Sequence, residues 1–137
     1  MEDIAQEIRG DVVTNRVNLI RTTVNEANEI RDLLEEQIVF GHSKIVIDLS
    51  MCTHLDSTFI GVLVVTQKKL QEKDGQLVIV EPQDPAKELF YLTGISKVFS
   101  TFESAEDASR SFNNGIVPPE PKPDDVIRIN KVEWAFA

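Results

Sequence analysis

The chain is poor in the residues on which several common chemistries depend. Its single cysteine, Cys52, cannot close an internal disulfide, which fits a reducing compartment. No apolar stretch approaches the ~18 residues that a membrane-spanning helix requires. No Gly-x-Gly-x-x-Gly or Walker-type loop occurs, so nucleotide hydrolysis is not expected. Cations are scarce: 14 Lys+Arg against 23 Asp+Glu leave a net charge of −9. Phosphate backbones and anionic lipid surfaces are held through basic patches, so neither nucleic acid nor membrane is the expected partner. The opening Met1-Glu2-Asp3 is acidic where a secretory signal would be basic, and a cytoplasmic, soluble protein is therefore expected.

What is present suffices for one domain. Of 137 residues, 42% are hydrophobic, enough for a compact core. Short alternating runs up to Ile20 read as two or three strands, broken at Gly10-Asp11. Val24, Ala27, Ile30, Leu33, Leu34 and Ile38 recur at helical steps, predicting a helix over 25–39 that Gly41 stops. Lys44 to Leu49 reads as a central strand buried on both faces. A polar loop from Ser50 to Leu55 leads to a helix beginning at Asp56-Ser57. The first half of that helix is apolar nearly all round and is expected deep against the sheet. Asp74-Gly75 ends it, and 76–80 form the next strand. A short helix carrying Ala86, Leu89 and Phe90, a cap at Gly94, a brief strand at Val98-Phe99 and a last helix after Ser104 follow. Ala105, Ala108 and Phe112 form the inner face of that last helix. Strands alternating with helices predict an α/β sheet, whose sites cluster at the carboxyl ends of the strands. Ser50 to Ser57 is that position for the central strand.

Composition changes at Asn113-Asn114-Gly115. Pro118, Pro119, Pro121 and Pro123 alternate with charges as an extended linker, and Ile127, Ile129, Val132, Trp134 and Phe136 then alternate as a strand does. The chain accordingly divides into a domain over 1–113 and an appendage over 114–137. The appendage can cover the domain's own surface or exchange with a second copy to make a homodimer.

Candidate chemistry concentrates at Asp56-Ser57-Thr58. Helix capping alone accounts for these residues, at about 1 kcal/mol. The alternative is phosphorylation, since a helix N-terminus accommodates phosphate and the added charge repels a docked partner. His54, Asp56 and Ser57 include the residue types of a hydrolase triad, but residues this close on one loop can hardly attain its geometry. Cys52 and His54, with distant His42, match no zinc spacing, and Cys52 reads as a small buried loop residue. Asp48 ends an apolar strand as a receiver's phospho-acceptor does, but the acidic pair that such a site needs is missing. No catalytic residue, metal or cofactor is expected.

The run Val46-Ile47-Asp48-Leu49-Ser50, followed by Leu55-Asp56-Ser57-Thr58-Phe59-Ile60-Gly61-Val62-Leu63, resembles the STAS domain of bacterial anti-sigma factor antagonists. Further similarity runs through Asp74–Val80, Leu92-Thr93-Gly94-Ile95, Val98-Phe99 and Phe102–Ala108. The resemblance implies a mixed sheet of four to five strands packed against about four helices, with 114–137 as an extended tail. It implies a non-enzymatic regulator acting by partner switching. The unphosphorylated form binds an anti-sigma factor that is also a serine kinase, phosphorylation at Ser57 releases it, and a phosphatase resets it. Thr58 takes the place of the family's second hydroxyl and is a second candidate acceptor. The partner-binding loop would comprise Asp48, Asp56, Ser57, Thr58 and Phe59. Asp48 would order that loop. Phe59 stands where the family has glycine, as core, oligomer contact or pocket residue. Ile20-Arg21-Thr22-Thr23 departs from the family's Gly-x-Leu-Asp, at an edge that commonly belongs to the binding face. A scaffold STAS domain for homotypic assembly and a small-ligand-sensing STAS module are the alternative functions.

Overall fold

A computed structural model describes residues 3–113. The expected linker and strand-like tail at 114–137 lie outside the described residues. Ten elements follow one another: β1 (Ile4–Arg9), β2 (Val12–Val17), α1 (Val24–Val39), β3 (Lys44–Asp48), α2 (Ser57–Gln71), β4 (Gln76–Val80), α3 (Ala86–Leu92), a 3₁₀ turn (Ile95–Lys97), β5 (Ser100–Phe102) and α4 (Ala105–Asn113). The sheet has the order β1-β2-β3-β4-β5. β1 runs antiparallel to β2, and the other pairings are parallel. The mixed five-stranded sheet and its four helices form the expected α/β architecture.

The alternation of β3 sets the layers. Ile45 and Ile47 point to one face, where they join Ala27, Ile30 and Leu34 of α1 and Phe59, Leu63 and Leu70 of α2. Val46 points to the other, joining Val12, Val78, Val80 and Ala108, against which Phe102, Ala105 and Phe112 pack. Successive side chains of a strand face opposite ways, so a strand this apolar must be covered on both sides.

Local chemistry fixes the ends of the elements. Thr23 caps α1: its Oγ1 accepts the Asn25 N–H at 3.2 Å, and its own N–H donates to Glu26 Oε1 at 2.6 Å. This Thr-x-x-Glu capping box starts the helix at Val24, one residue before the sequence-based start. Gly94 follows α3 at φ +82°, a backbone region open to glycine at little cost. Gly75 is held for a different reason. A Cβ there would lie 2.6 Å from the Ser43 carbonyl oxygen, which accepts the Gln76 N–H at 2.8 Å.

Two expectations are corrected. The strand placed at Val98-Phe99 begins instead at Ser100, paired with Val78. The Val98 N–H is taken by Ile95 O in the 3₁₀ turn and its carbonyl by Gln67 Nε2, so neither group reaches a ladder, and both side chains are buried. The first half of α2 is not buried all round. Val65 is 52% exposed, Gly61 is exposed, and Ile60 and Val62 are only partly covered.

The core also holds a polar clasp. Asn15 on β2 and Gln37 on α1 are both buried and exchange amide hydrogen bonds, Asn15 Nδ2 to Gln37 Oε1 at 3.1 Å and Gln37 Nε2 to Asn15 Oδ1 at 2.7 Å. Removing one partner strands the other amide without water, at a cost of ~1–3 kcal/mol. Asn15→Leu is expected to lose stability in that range in urea unfolding. The double variant Asn15→Leu/Gln37→Leu is expected to recover most of it, and a double variant no better than the single one contradicts this account.

Candidate functional site

β3 hands the chain to a loop at the carboxyl edge of the sheet, and that loop is fastened from both flanks. On one side, Thr53 N–H and His54 N–H donate to Ile20 O at 2.7 and 3.2 Å. The Thr22 N–H donates to His54 O at 3.1 Å, and the Asp56 N–H donates to the buried Thr22 hydroxyl at 3.1 Å. On the other side, the Gln83 N–H donates to Cys52 O at 2.8 Å and the Ala86 N–H to Thr53 O at 3.0 Å. Gln83 Nε2 reaches Ser50 O at 2.8 Å. The Ile20–Thr22 segment, which departs from the family pattern in sequence, thus serves as one jaw of this clamp.

Asp48 closes the loop from beneath. Its side chain is 4% exposed, its Oδ1 accepts the Ser50 N–H at 3.0 Å, and Arg16 Nε stands 3.7 Å from Oδ2. Asp48 therefore orders the turn from inside and presents little surface of its own. Cys52 is fully buried beside it. Burial, with a smaller push from the Asp48 charge, raises the thiol pKa from the ordinary 9.0 to about 12. The thiolate is the nucleophile and metal ligand, so this sulfur is held inert.

The loop ends by starting α2. Asp56 is the N-cap, and its Oδ1 accepts the Thr58 N–H at 2.7 Å. Ser57 is the first helical residue, and both it and Thr58 are exposed. Phe59 is corrected as a contact of the partner-binding loop: it has no accessible surface and is part of the core. A helix seated in the core through its third residue carries its first two out to solvent. The structure thus brings Asp56, Ser57 and Thr58 together at the surface, with Asp48 beneath them and Phe59 behind them.

The hydrolase-like residues are engaged otherwise. The Asp56 carboxylate serves the helix cap, and His54 Nδ1 lies 2.9 Å from Thr53 Oγ1. His42 follows α1 at the opposite edge of the sheet from Cys52 and His54, because α1 leads back to the start of β3. Among the described residues, no group of three His, Cys, Asp or Glu is placed to hold a metal.

Sequence reading missed a groove of about 450 Å³ beside Ser57, lined by Thr53, His54, Leu55, Ile60, Leu89 and neighbours that include Pro85 and Ile95. Leu89 is 54% exposed on this groove, while Ala86 and Phe90 take the inward positions of α3. The Tyr91 hydroxyl donates to Glu81, and Lys87 Nζ pairs with that carboxylate at 3.5 Å, which fastens α3 to the end of β4. The only sequence signal for the groove was the all-round apolar start of α2, since lining from residues 53–60 and 85–95 meets only in three dimensions.

Two measurements check this local chemistry. Asp56→Ala is expected to cost about 1 kcal/mol in urea unfolding, with Asp56→Asn retaining most of the cap. Native Cys52 is expected to alkylate at pH 8 orders of magnitude more slowly than in denaturant, and equal rates contradict its burial.

The family model of the STAS domain matches residues 7–108. An anti-sigma-B factor antagonist of Staphylococcus aureus is 30% identical over 78 residues, spanning 57% of this chain and 72% of that protein. BtrV of Bordetella bronchiseptica, described as a putative anti-sigma factor antagonist, is 26% identical over 99 residues, 71% of this chain and 85% of its own. Among solved structures, the anti-sigma factor antagonist SpoIIAA of Bacillus in its unphosphorylated form superposes with a TM-score of 0.70 at 17% identity, covering 83% of this chain and 98% of that one; it has also been solved phosphorylated. At that identity the likeness speaks to fold alone. Family model, relatives and architecture agree: the chain belongs to the STAS domain family, within its anti-sigma factor antagonists.

Proposed function

We propose that this protein is an anti-sigma factor antagonist controlled by phosphorylation of Ser57. In the unphosphorylated form it binds an anti-sigma factor that doubles as a serine kinase, and the bound sigma factor is freed. Transfer of phosphate to the Ser57 hydroxyl ends that binding, and a separate serine phosphatase restores the competent form. The cytoplasm, where sigma factors act, is the compartment this reading requires.

The observation that carries the reading is the exposed Ser57 hydroxyl at the first position of a deeply anchored helix, on a loop clamped from both flanks. A kinase needs an accessible oxygen in a fixed place, and the clamp holds it without induced folding. Phosphate added there brings ~1.5–2 negative charges. They arrive beside the Asp56 carboxylate on a chain already at −9. Charge of the wrong sign in a docked interface costs several kcal/mol, which moves affinity by orders of magnitude. The chain supplies no base or metal in this scheme, because activation of the hydroxyl belongs to the kinase. Thr58, also exposed, is a second acceptor within reach of the same visitor. That SpoIIAA has been obtained both with and without phosphate supports a phosphate switch in this fold.

Incubation with ATP and an anti-sigma serine kinase, followed by peptide mass spectrometry, is expected to place phosphate on Ser57. Ser57→Ala is expected to bind that kinase as the native chain does and to take up no phosphate at 57. Ser57→Asp is expected to bind at least tenfold more weakly. Full binding by Ser57→Asp, or phosphate confined to other residues, overturns the switch.

A further inference from the structure

The groove beside Ser57 is open and apolar, and among the described residues none fills it. Leu55 and Ile60 contribute from the loop and α2, Pro85, Ala86 and Leu89 from α3 and the turn before it, and Ile95 from the 3₁₀ turn. Its volume of about 450 Å³ falls within the ~300–1,000 Å³ usual for sites that receive a ligand or side chains. Leu89 stands 54% exposed on its wall, where apolar surface in water favours any apolar cover.

The same chain carries a segment of matching chemistry. Val132, Trp134 and Phe136 alternate with Lys131, Glu133 and Ala135, so an extended backbone would set all three large side chains on one face. We propose that residues 132–136 of this chain seat in the groove beside Ser57. The tether is long enough. β5 lies parallel to β4, so α4 starts at the carboxyl edge of the sheet and ends on the face opposite α1 and α2. From there to the groove, the chain must pass a strand length of ~20 Å and roughly one ~10 Å layer. Residues 114–131 comprise 18 residues and four prolines. At ~3.1 Å per residue in extended, proline-rich form they reach ~55 Å. A tethered segment competes at an effective concentration near the millimolar range, which favours it over an untethered apolar partner of equal intrinsic affinity.

A segment seated there lies alongside Ser57, so seating and the approach of a kinase compete. That consequence rests on the function proposed above; the seating itself does not, and the test reads seating alone. Trp134 is the only tryptophan, so the full-length protein reports its own tail. Its native emission is expected to be blue-shifted relative to the protein in denaturant, with acrylamide quenching several-fold weaker and no dependence on protein concentration. Leu89→Glu, on the groove wall, and Phe136→Ser, in the tail, are each expected to shift the emission to the red and raise quenching several-fold, with far-UV circular dichroism unchanged. Val39→Glu, at the far end of α1, is expected to change neither. Native emission equal to that in denaturant overturns the proposal. So does sheltering that Leu89→Glu leaves intact, that Val39→Glu also removes, or that grows with protein concentration as binding to a second copy would.

Discussion

The geometry of the site depends on one set of backbone hydrogen bonds, those that hold the loop after β3 between Ile20–Thr22 and Gln83–Ala86. The loop lies at the carboxyl edge, where the strands β2, β3 and β4 end and their connections leave the sheet. Had its peptide groups faced water alone, the loop would sample many conformations and the start of α2 would move with it. Instead its carbonyls at Ser50, Cys52, Thr53 and His54 and its amides at Thr53, His54 and Asp56 all have partners outside the loop. Asp48 holds the remaining turn through the Ser50 N–H from within the protein. The result is a surface position held in place by hydrogen bonds from both flanks and from the buried Asp48 beneath.

α2 links that position to the core. Phe59, Leu63, Val64 and Leu70 anchor the helix against α1 and the sheet, and Gln67 adds a polar tie, its Oε1 accepting the Leu77 N–H at 2.8 Å. The helix cannot shift without disturbing both layers. Its first two residues are therefore presented rigidly, while Ile60 faces the groove and Val65 the solvent. Apolar residues beyond those that the core can use are the mark of a surface meant to be covered. Here Ile60 and Leu89 line the groove that also borders Ser57.

The elements with strong periodicity were readable in advance. The first helix, read over 25–39, the doubly buried β3, a helix cap at Asp56 or Ser57, the αL turn at Gly94 and the inner face of α4 follow from side-chain spacing and local backbone chemistry. Those are interactions within a few residues, and one sequence contains them entirely. What failed were inferences about direction. The brief strand moved from Val98-Phe99 to Ser100–Phe102 because the 3₁₀ turn and Gln67 claimed the backbone groups of Val98. Leu89 faces the groove, while Ala86 and Phe90 of the same seven-residue helix are buried, a division that only the packing reveals. Phe59 could be read as core or as contact, and only the packing of α1 over α2 made it core.

By itself the sequence determined the order of strands and helices, the doubly buried central strand, and that Asp56-Ser57-Thr58 open a helix. Periodicity and capping act through neighbours along the chain, so no tertiary information is needed for them. Tertiary structure alone decided that Ile20–Thr22 and Gln83–Ala86 grip the loop, that Asn15 meets Gln37 across 22 residues, and that a groove opens between α2 and α3. Such contacts join segments distant in the chain, and their partners are chosen by how the layers pack rather than by any local pattern.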